Sequence, residues 1–314
     1  MKKAILNLLV GLAFLLSGCV LDKPLVDATV VPGIATELPQ TAPVSAETSS
    51  AGSLLAGMEV NSKFLRNLAL FSPQLQKTVQ LVDGEYEISD NNGRYSGKIL
   101  QDSFGDLNGD GKEDTAFLLA ENAGGTGVFV SLIAVVSRGE QYDQLESVLI
   151  DDRPVINSFG VASGEIHLSA LLHGSLDDMV SPTFGVTQVY RVLGDKLTLT
   201  SLRSTTEGST QRAIVIDLPS DGESISDEVQ ITGRMPIGPF ENNLSLKVLD
   251  LAGNELYASG FRVDAPEMGA PASFNNLVSL PALPSGAWVR VELGELSMAD
   301  GSLIAMASVV VQIK

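Results

Sequence analysis

The sequence predicts a mainly β protein: an N-terminal domain that is α+β or β-rich and antiparallel, followed by a β-sandwich. Three observations carry this reading. Apolar residues recur at period two, as Leu244, Leu246 and Val248 do against Ser245 and Lys247, and Val289, Val291 and Leu293 against Arg290 and Glu292. Tight-turn pairs such as Asp83-Gly84, Asn92-Gly93 and Ser163-Gly164 fall between the apolar runs. Strands follow one another with short turns rather than long crossover helices, which excludes a doubly wound α/β sheet.

Taken in order, residues 1–18 have the layout of a secretory leader. Lys2 and Lys3 precede an apolar run from Ala4 to Leu16, which is shorter than the ~20 residues a membrane-spanning helix needs. Leu16, Ser17 and Gly18 then lead directly into Cys19, the single cysteine of the chain. This tetrad resembles the lipobox of bacterial lipoproteins. The resemblance implies cleavage before Cys19, a diacylglycerol on its thiol and N-acylation (typically a palmitate) of the new terminus. Several acyl chains make a stable anchor where one is marginal. The expected location is therefore the extracytoplasmic face of a cell membrane or envelope.

Residues 19–55 contain Pro24, Pro32, Pro39 and Pro43 among Ser, Thr, Ala and Val, without usable periodicity, and read as a tether. Fully extended, such a segment reaches on the order of 100 Å. Residues 56–203 are the first folded domain. Phe64, Leu65, Leu68 and Phe71 predict a short helix over 63–71, stopped by Pro73. Nine strands are expected after it: 78–82, 97–100, 115–120, 128–136, 147–150, 155–161, 165–172, 184–193 and 196–200. Residues 204–211 are polar and read as a linker.

Residues 212–314 offer seven strands: 213–218, 229–232, 244–249, 255–263, 273–280, 287–293 and 307–313. This spacing suits a sandwich of immunoglobulin type. Trp288 is out of phase with Val289, Val291 and Leu293, so it is expected on the other, more exposed face. The order of Pro219, Gly222, Ile231-Thr232-Gly233, Phe240-Glu241-Asn242-Asn243-Leu244, Asp250, Gly253, Phe274 and Asp300-Gly301-Ser302 resembles the immunoglobulin-like domain of bacterial spore germination lipoproteins. A common Ser-Pro before the second strand is here Ser226-Asp227, and the partner domain of the germination proteins is not recognisable. The resemblance implies a binding or spacer module without catalytic residues.

One motif has metal chemistry. Asp106, Asn108, Asp110 and Asp114 occupy positions 1, 3, 5 and 9 of a calcium-type loop, with the Lys112 carbonyl at position 7 and Gly109 and Gly111 permitting sharp turns. Position 12 is Phe117 rather than the bidentate glutamate of an EF-hand, and strand-like sequence follows. The loop resembles the DxNGDGxxD loops of FG-GAP repeats, which implies one structural calcium. A metal-free acidic hairpin is the alternative.

The chain has 20 basic and 38 acidic residues, and removal of the leader takes away two lysines and no acid. Nucleic acid and anionic lipid are thereby excluded as partners. An envelope protein or glycan remains the expected partner, with the membrane reached through the N-terminal lipid. His167 and His173 are the only histidines, and no nucleophile elbow or phosphate loop occurs. Gly124-Gly125-Thr126-Gly127 lacks the lysine a phosphate loop needs. The pairs Asp151-Asp152 and Asp177-Asp178 could serve a glycosidase, but one Trp and five Tyr give few sugar platforms. The expectation is a non-enzymatic binding, adhesion or scaffolding lipoprotein. An accessory regulator of an envelope or germination-like process is the second reading, and a secreted hydrolase the third.

Overall fold

The period-two pattern becomes strand nearly everywhere. A computed structural model describes residues 61–91, 93–139, 141–206 and 208–314. The expected leader, lipidation site and tether lie outside the described residues. Asn61 caps α1 (Ser62–Leu65), its side-chain oxygen accepting from the Phe64 N–H at 3.0 Å. The helix expected over 63–71 ends at Leu65, and β1 (Ala69–Ser72) takes the rest, pairing with β2 (Lys77–Gln80). The cause is a change of period: Leu68, Leu70 and Ser72 are buried at alternate positions, while Ala69 and Phe71 are half-buried. A short isolated helix has little stability of its own, so hairpin pairing prevails.

Six strands then build the first sheet: β3 (Glu85–Asp90), β4 (Gly93–Gly105), β5 (Asp114–Asn122), β6 (Phe129–Arg138), β7 (Gln141–Gln144) and β8 (Val148–Asp152). They run β3-β4-β5-β6-β7, with β8 also paired to β6, all antiparallel. β5 and β6 are buried on both faces, which explains their unbroken apolar runs. On one face Phe117, Leu119, Ile133 and Val135 pack against Leu65, Leu70, Leu81 and Tyr86 of the α1–β2 cap and β3. On the other, Ala116, Leu118, Leu132 and Ala134 meet the next sheet.

That sheet starts as a meander of β9 (Val155–Ala162), β10 (Glu165–Leu172), β11 (Phe184–Leu193) and β12 (Lys196–Thr205). Ile166, Leu168, Ala170, Val186 and Leu202 point into the first sandwich. His167 lies on the opposite, exposed face between Ile166 and Leu168, as the alternation requires.

The C-terminal strands are β13 (Gln211–Arg212), β14 (Val215–Leu218), β15 (Ser224–Ile225), β16 (Glu228–Met235), β17 (Asn243–Asp250), β18 (Glu255–Arg262), β19 (Ala272–Ser279), β20 (Trp288–Leu296) and β21 (Leu303–Ile313). A three-stranded sheet, β14-β16-β19, faces β18-β17-β20-β21. Between them Ile231, Leu244, Val248, Phe274, Val291 and Val311 form one core. Phe261 and Phe274 meet edge to face with centroids 5.4 Å apart. Trp288 is 42% exposed, on the face opposite that core. The fold is mainly β throughout, with an immunoglobulin-like sandwich at its C-terminal end.

The two sandwiches share a sheet. Ser201 pairs with Ala307 and Leu202 with Met306, so β12 and β21 join β9–β12 to the C-terminal strands in one ten-stranded sheet. Within the 204–211 stretch, expected as a linker, Ser204 and Thr205 complete β12, and Arg212 and Gln211 pair back onto them. Met306 enters the N-terminal core, and Ser204 Oγ donates to the Ile304 carbonyl at 2.6 Å.

Candidate functional site

The acidic loop connects β4 and β5. Gly109 and Gly111 adopt φ of +79° and +81°, which residues with a side chain seldom do. Asp106 accepts from the N–H groups of Gly109, Asp110 and Gly111. Asn108 Oδ1 accepts from Asp110 N–H, and Asp110 Oδ1 from Lys112 N–H. Asp110 Oδ2 takes the Ser137 hydroxyl at 2.8 Å, and these bonds hold its carboxyl below the usual carboxylate range. Lys112 turns its ammonium to the Gly139 carbonyl.

Asp114 behaves differently from its neighbours. It is fully buried and accepts from Leu107, Asn108 and Ser137 N–H groups. Burial pushes its carboxyl upward despite those three bonds. Asp106, Asn108 and Asp110 offer hard oxygens at an exposed turn, which is donor chemistry suited to calcium. Among the described residues, however, no three His, Cys, Asp or Glu side chains are gathered closely enough to hold an ion. The turn is closed by its own hydrogen bonds.

The acidic pairs and His173 converge at the other end of the first sandwich. Asp151 Oδ2 accepts from the His173 main-chain N–H at 2.6 Å and lies 2.9 Å from His173 Nδ1. Asp152 takes Val128 N–H and Arg153. Asp177 clamps the ends of its loop, accepting from Gly174 N–H, Thr183 N–H and the Thr183 hydroxyl, which keeps its carboxyl depressed. Asp178 accepts from Val180 N–H. These carboxylates hold loops together. His167 has a different partner, Glu165, with 3.6 Å between Nε2 and Oε2. The Gly124–Gly127 turn is tied by Asn122, whose side-chain amide donates to the Gly125 and Gly127 carbonyls.

A second polar feature was not singled out by any motif. On the outer face of β10, β11 and β12, a trough of about 430 Å³ runs up to the C-terminal sandwich, which contributes Asp221 and Ser308. The register aligns Glu165 with Arg191 and Thr187 with Arg203 across its floor. A β-bulge at Thr200, between the pairs Tyr190–Leu199 and Val189–Ser201, brings Thr200 and Ser201 both to the trough. The Thr200 carbonyl accepts the Ser308 hydroxyl at 3.1 Å. Arg191 is held by both oxygens of Asp221 at 3.0 Å. The only sequence signal for this surface was the alternation over 165–172 that turns His167 outward; Arg203 lies beyond the strand expected over 196–200, which continues in the structure as β12 to Thr205.

Comparison with known proteins places one part of the chain. Residues 213–302 match the family described as the immunoglobulin-like domain of bacterial spore germination. The match falls within the C-terminal sandwich, ending before β21, and covers less than a third of the chain. No curated protein and no solved structure matches significantly. No helix among the described residues is long and apolar enough to cross a membrane.

Proposed function

We propose that this protein is a lipid-anchored bacterial envelope lipoprotein that works by binding and positioning rather than by catalysis. Cys19 is the lipidated residue, Leu16-Ser17-Gly18 the recognition sequence before it, and residues 19–55 the tether. The observation that carries the reading is the immunoglobulin-like sandwich joined through one sheet to a second sandwich, which leaves broad β faces for contact with a partner. The germination-type module favours an accessory role beside another envelope component, a protein or a glycan. Fold alone does not fix that process.

Calcium is proposed as the ligand of the acidic loop, held by Asp106, Asn108, Asp110 and the Lys112 carbonyl. It would cross-link a turn already shaped by hydrogen bonds, with Asp114 as the buried brace beneath. The test of the main reading is partition of the full-length protein between detergent and aqueous phases after expression in a bacterium. Wild type is expected in the detergent phase and Cys19→Ala with an uncleaved leader or in the aqueous phase. A mass at the N-terminus without acyl chains overturns the anchor.

A further inference from the structure

The trough on the outer face of β10–β12 has a charge arrangement unusual for this chain. Acids outnumber bases almost two to one, and most described arginines lie against a carboxylate. Arg203 and Arg262 are the two described arginines without such a partner, and Arg203 lines the trough. A guanidinium in a strongly acidic protein readily finds a carboxylate, so the exposed Arg203, left open at the trough, is placed for something external.

Its surroundings restrict what that is. Arg191 is neutralised by Asp221, and His167 faces Glu165, so neither adds an open positive charge. Thr187 sits directly across the strand pair from Arg203, and the bulge presents Ser201 beside it, while the buried Thr200 gives its hydroxyl to the Val189 carbonyl at 3.2 Å. A hydroxyl can donate to an anion or accept from a neighbouring N–H or O–H. The site thus offers one guanidinium fork, a hydroxyl-rich floor and two acids at the margin, Glu165 and Asp221. A dianionic phosphate meets those acids, whereas a single carboxylate on a hydroxyl- or amide-bearing body matches the whole set. The recess also lies at the seam between two sandwiches, where ligand sites often form.

We infer that this trough binds a carboxylate-bearing ligand, with Arg203 as the anchoring residue and Thr187 and Ser201 as hydroxyl partners. The inference rests on the proposed binding role and names the ligand chemistry for it. Two envelope-accessible sources supply such a group, an acidic sugar and a peptide C-terminus.

The experiment is a titration of full-length protein in neutral detergent, following the Arg203 Nε–H resonance and ligand saturation transfer. The probes are glucuronate and N-acetyl-Ala-Ala, their uncharged counterparts glucose and N-acetyl-Ala-Ala amide, and inorganic phosphate. Binding is expected from at least one carboxylate and from neither neutral counterpart, and the tighter carboxylate identifies the source. Arg203→Gln should weaken it about tenfold or more, as loss of a charge-assisted pair does, while Arg262→Gln leaves it unchanged. Thr187→Val, on the same exposed face, should weaken it less. Equal binding of the neutral probes, preference for phosphate, no saturation transfer from either carboxylate, or full affinity in folded Arg203→Gln overturns the inference. None of these outcomes bears on lipidation at Cys19, which the partition experiment reads separately.

Discussion

Arg290, on β20 of the C-terminal sandwich, donates through Nη1 to the main-chain carbonyl of Leu199 on β12 at 2.8 Å. The residue is only 8% exposed, and its guanidinium also lies 3.1 Å from Glu292. Burial pulls its pKa down and Glu292 pulls it up, yet an arginine stays charged across the accessible range. The pair therefore ties the two sandwiches through a charged hydrogen bond. Arg290→Ala should cost on the order of 3 kcal/mol, because it leaves both the Leu199 carbonyl and the Glu292 carboxylate without their partner. Urea unfolding read by Trp288 fluorescence and by hydrogen exchange in β5 and β6 should shift together. A shift confined to Trp288 would show that the seam does not couple the halves.

Glu121 gives a pH prediction. It is buried beneath the β1–β2 hairpin, accepts the Ser72 hydroxyl and the Tyr86 hydroxyl, the latter at 2.7 Å, and takes a long bond from Gln74 N–H. Burial raises its pKa, and the three donors only partly offset this. A raised folded-state value means that its contribution is fully present below the unfolded pKa and is lost as pH rises through the folded one. The depressed Asp177, Asp250 and Asp300, the last at about 2, work in the opposite sense and are lost only as pH falls. Glu121→Gln should therefore be more stable than wild type at pH 7 and lose that advantage by pH 4. Tyr86→Phe should cost about 1.5–3 kcal/mol, with the larger loss toward higher pH, as the carboxylate ionises. Melting curves of the three proteins from pH 4 to 7 decide it, and parallel curves refute the assignment.

The acidic loop separates a ligand effect from a structural one. In calcium 100-fold above its dissociation constant, wild type should gain about 2.7 kcal/mol over the chelated protein, and Asp110→Ala should gain nothing. Asp114→Asn should be destabilised whether or not calcium is present, because three N–H groups converge on its oxygens. If wild type melts identically with calcium and with chelator, the loop is a self-closed acidic turn.

Packing at Gly233 makes the fourth test. A Cβ there would collide with the Val215 carbonyl and with the Phe274 ring. Gly233→Ala should cost at least the 1–3 kcal/mol typical of overpacking, because the first obstacle is backbone and cannot rotate away. The midpoint of chemical unfolding measures it, and a neutral outcome would mean that β14 and β16 are further apart than their register implies.

The parts of this structure legible in sequence are those written in local period. The seven strands expected in the C-terminal sandwich, found as β14 and β16 to β21, and the exposed setting of His167 follow from alternation over a few residues; the two-residue β13 and β15 do not. The 63–71 segment failed because Phe64, Leu65, Leu68 and Phe71 fit a helical spacing while Leu68, Leu70 and Ser72 fit an extended one. Packing against Val79 and Leu81 selects between them. β1 was missed for that reason, and β3 and β7 were missed because they bury few of their residues. The clasp of Asp151 on His173 and the seating of Ser72 and Tyr86 on Glu121 bring together residues 22 to 49 positions apart, beyond any local pattern. Arg203 carries no motif, and its setting depends on a bulge one strand pair wide.

The shared sheet also has a mechanical consequence. Two sandwiches linked by a flexible segment would behave as beads on a string, each free to swing while the other is held. Here β12 and β21 are hydrogen-bonded neighbours, so bending between the sandwiches must distort the ladder or break the Ser201–Ala307 and Leu202–Met306 pairing. A pull on a partner held by one sandwich would be felt as torque by the other, as in a cantilever.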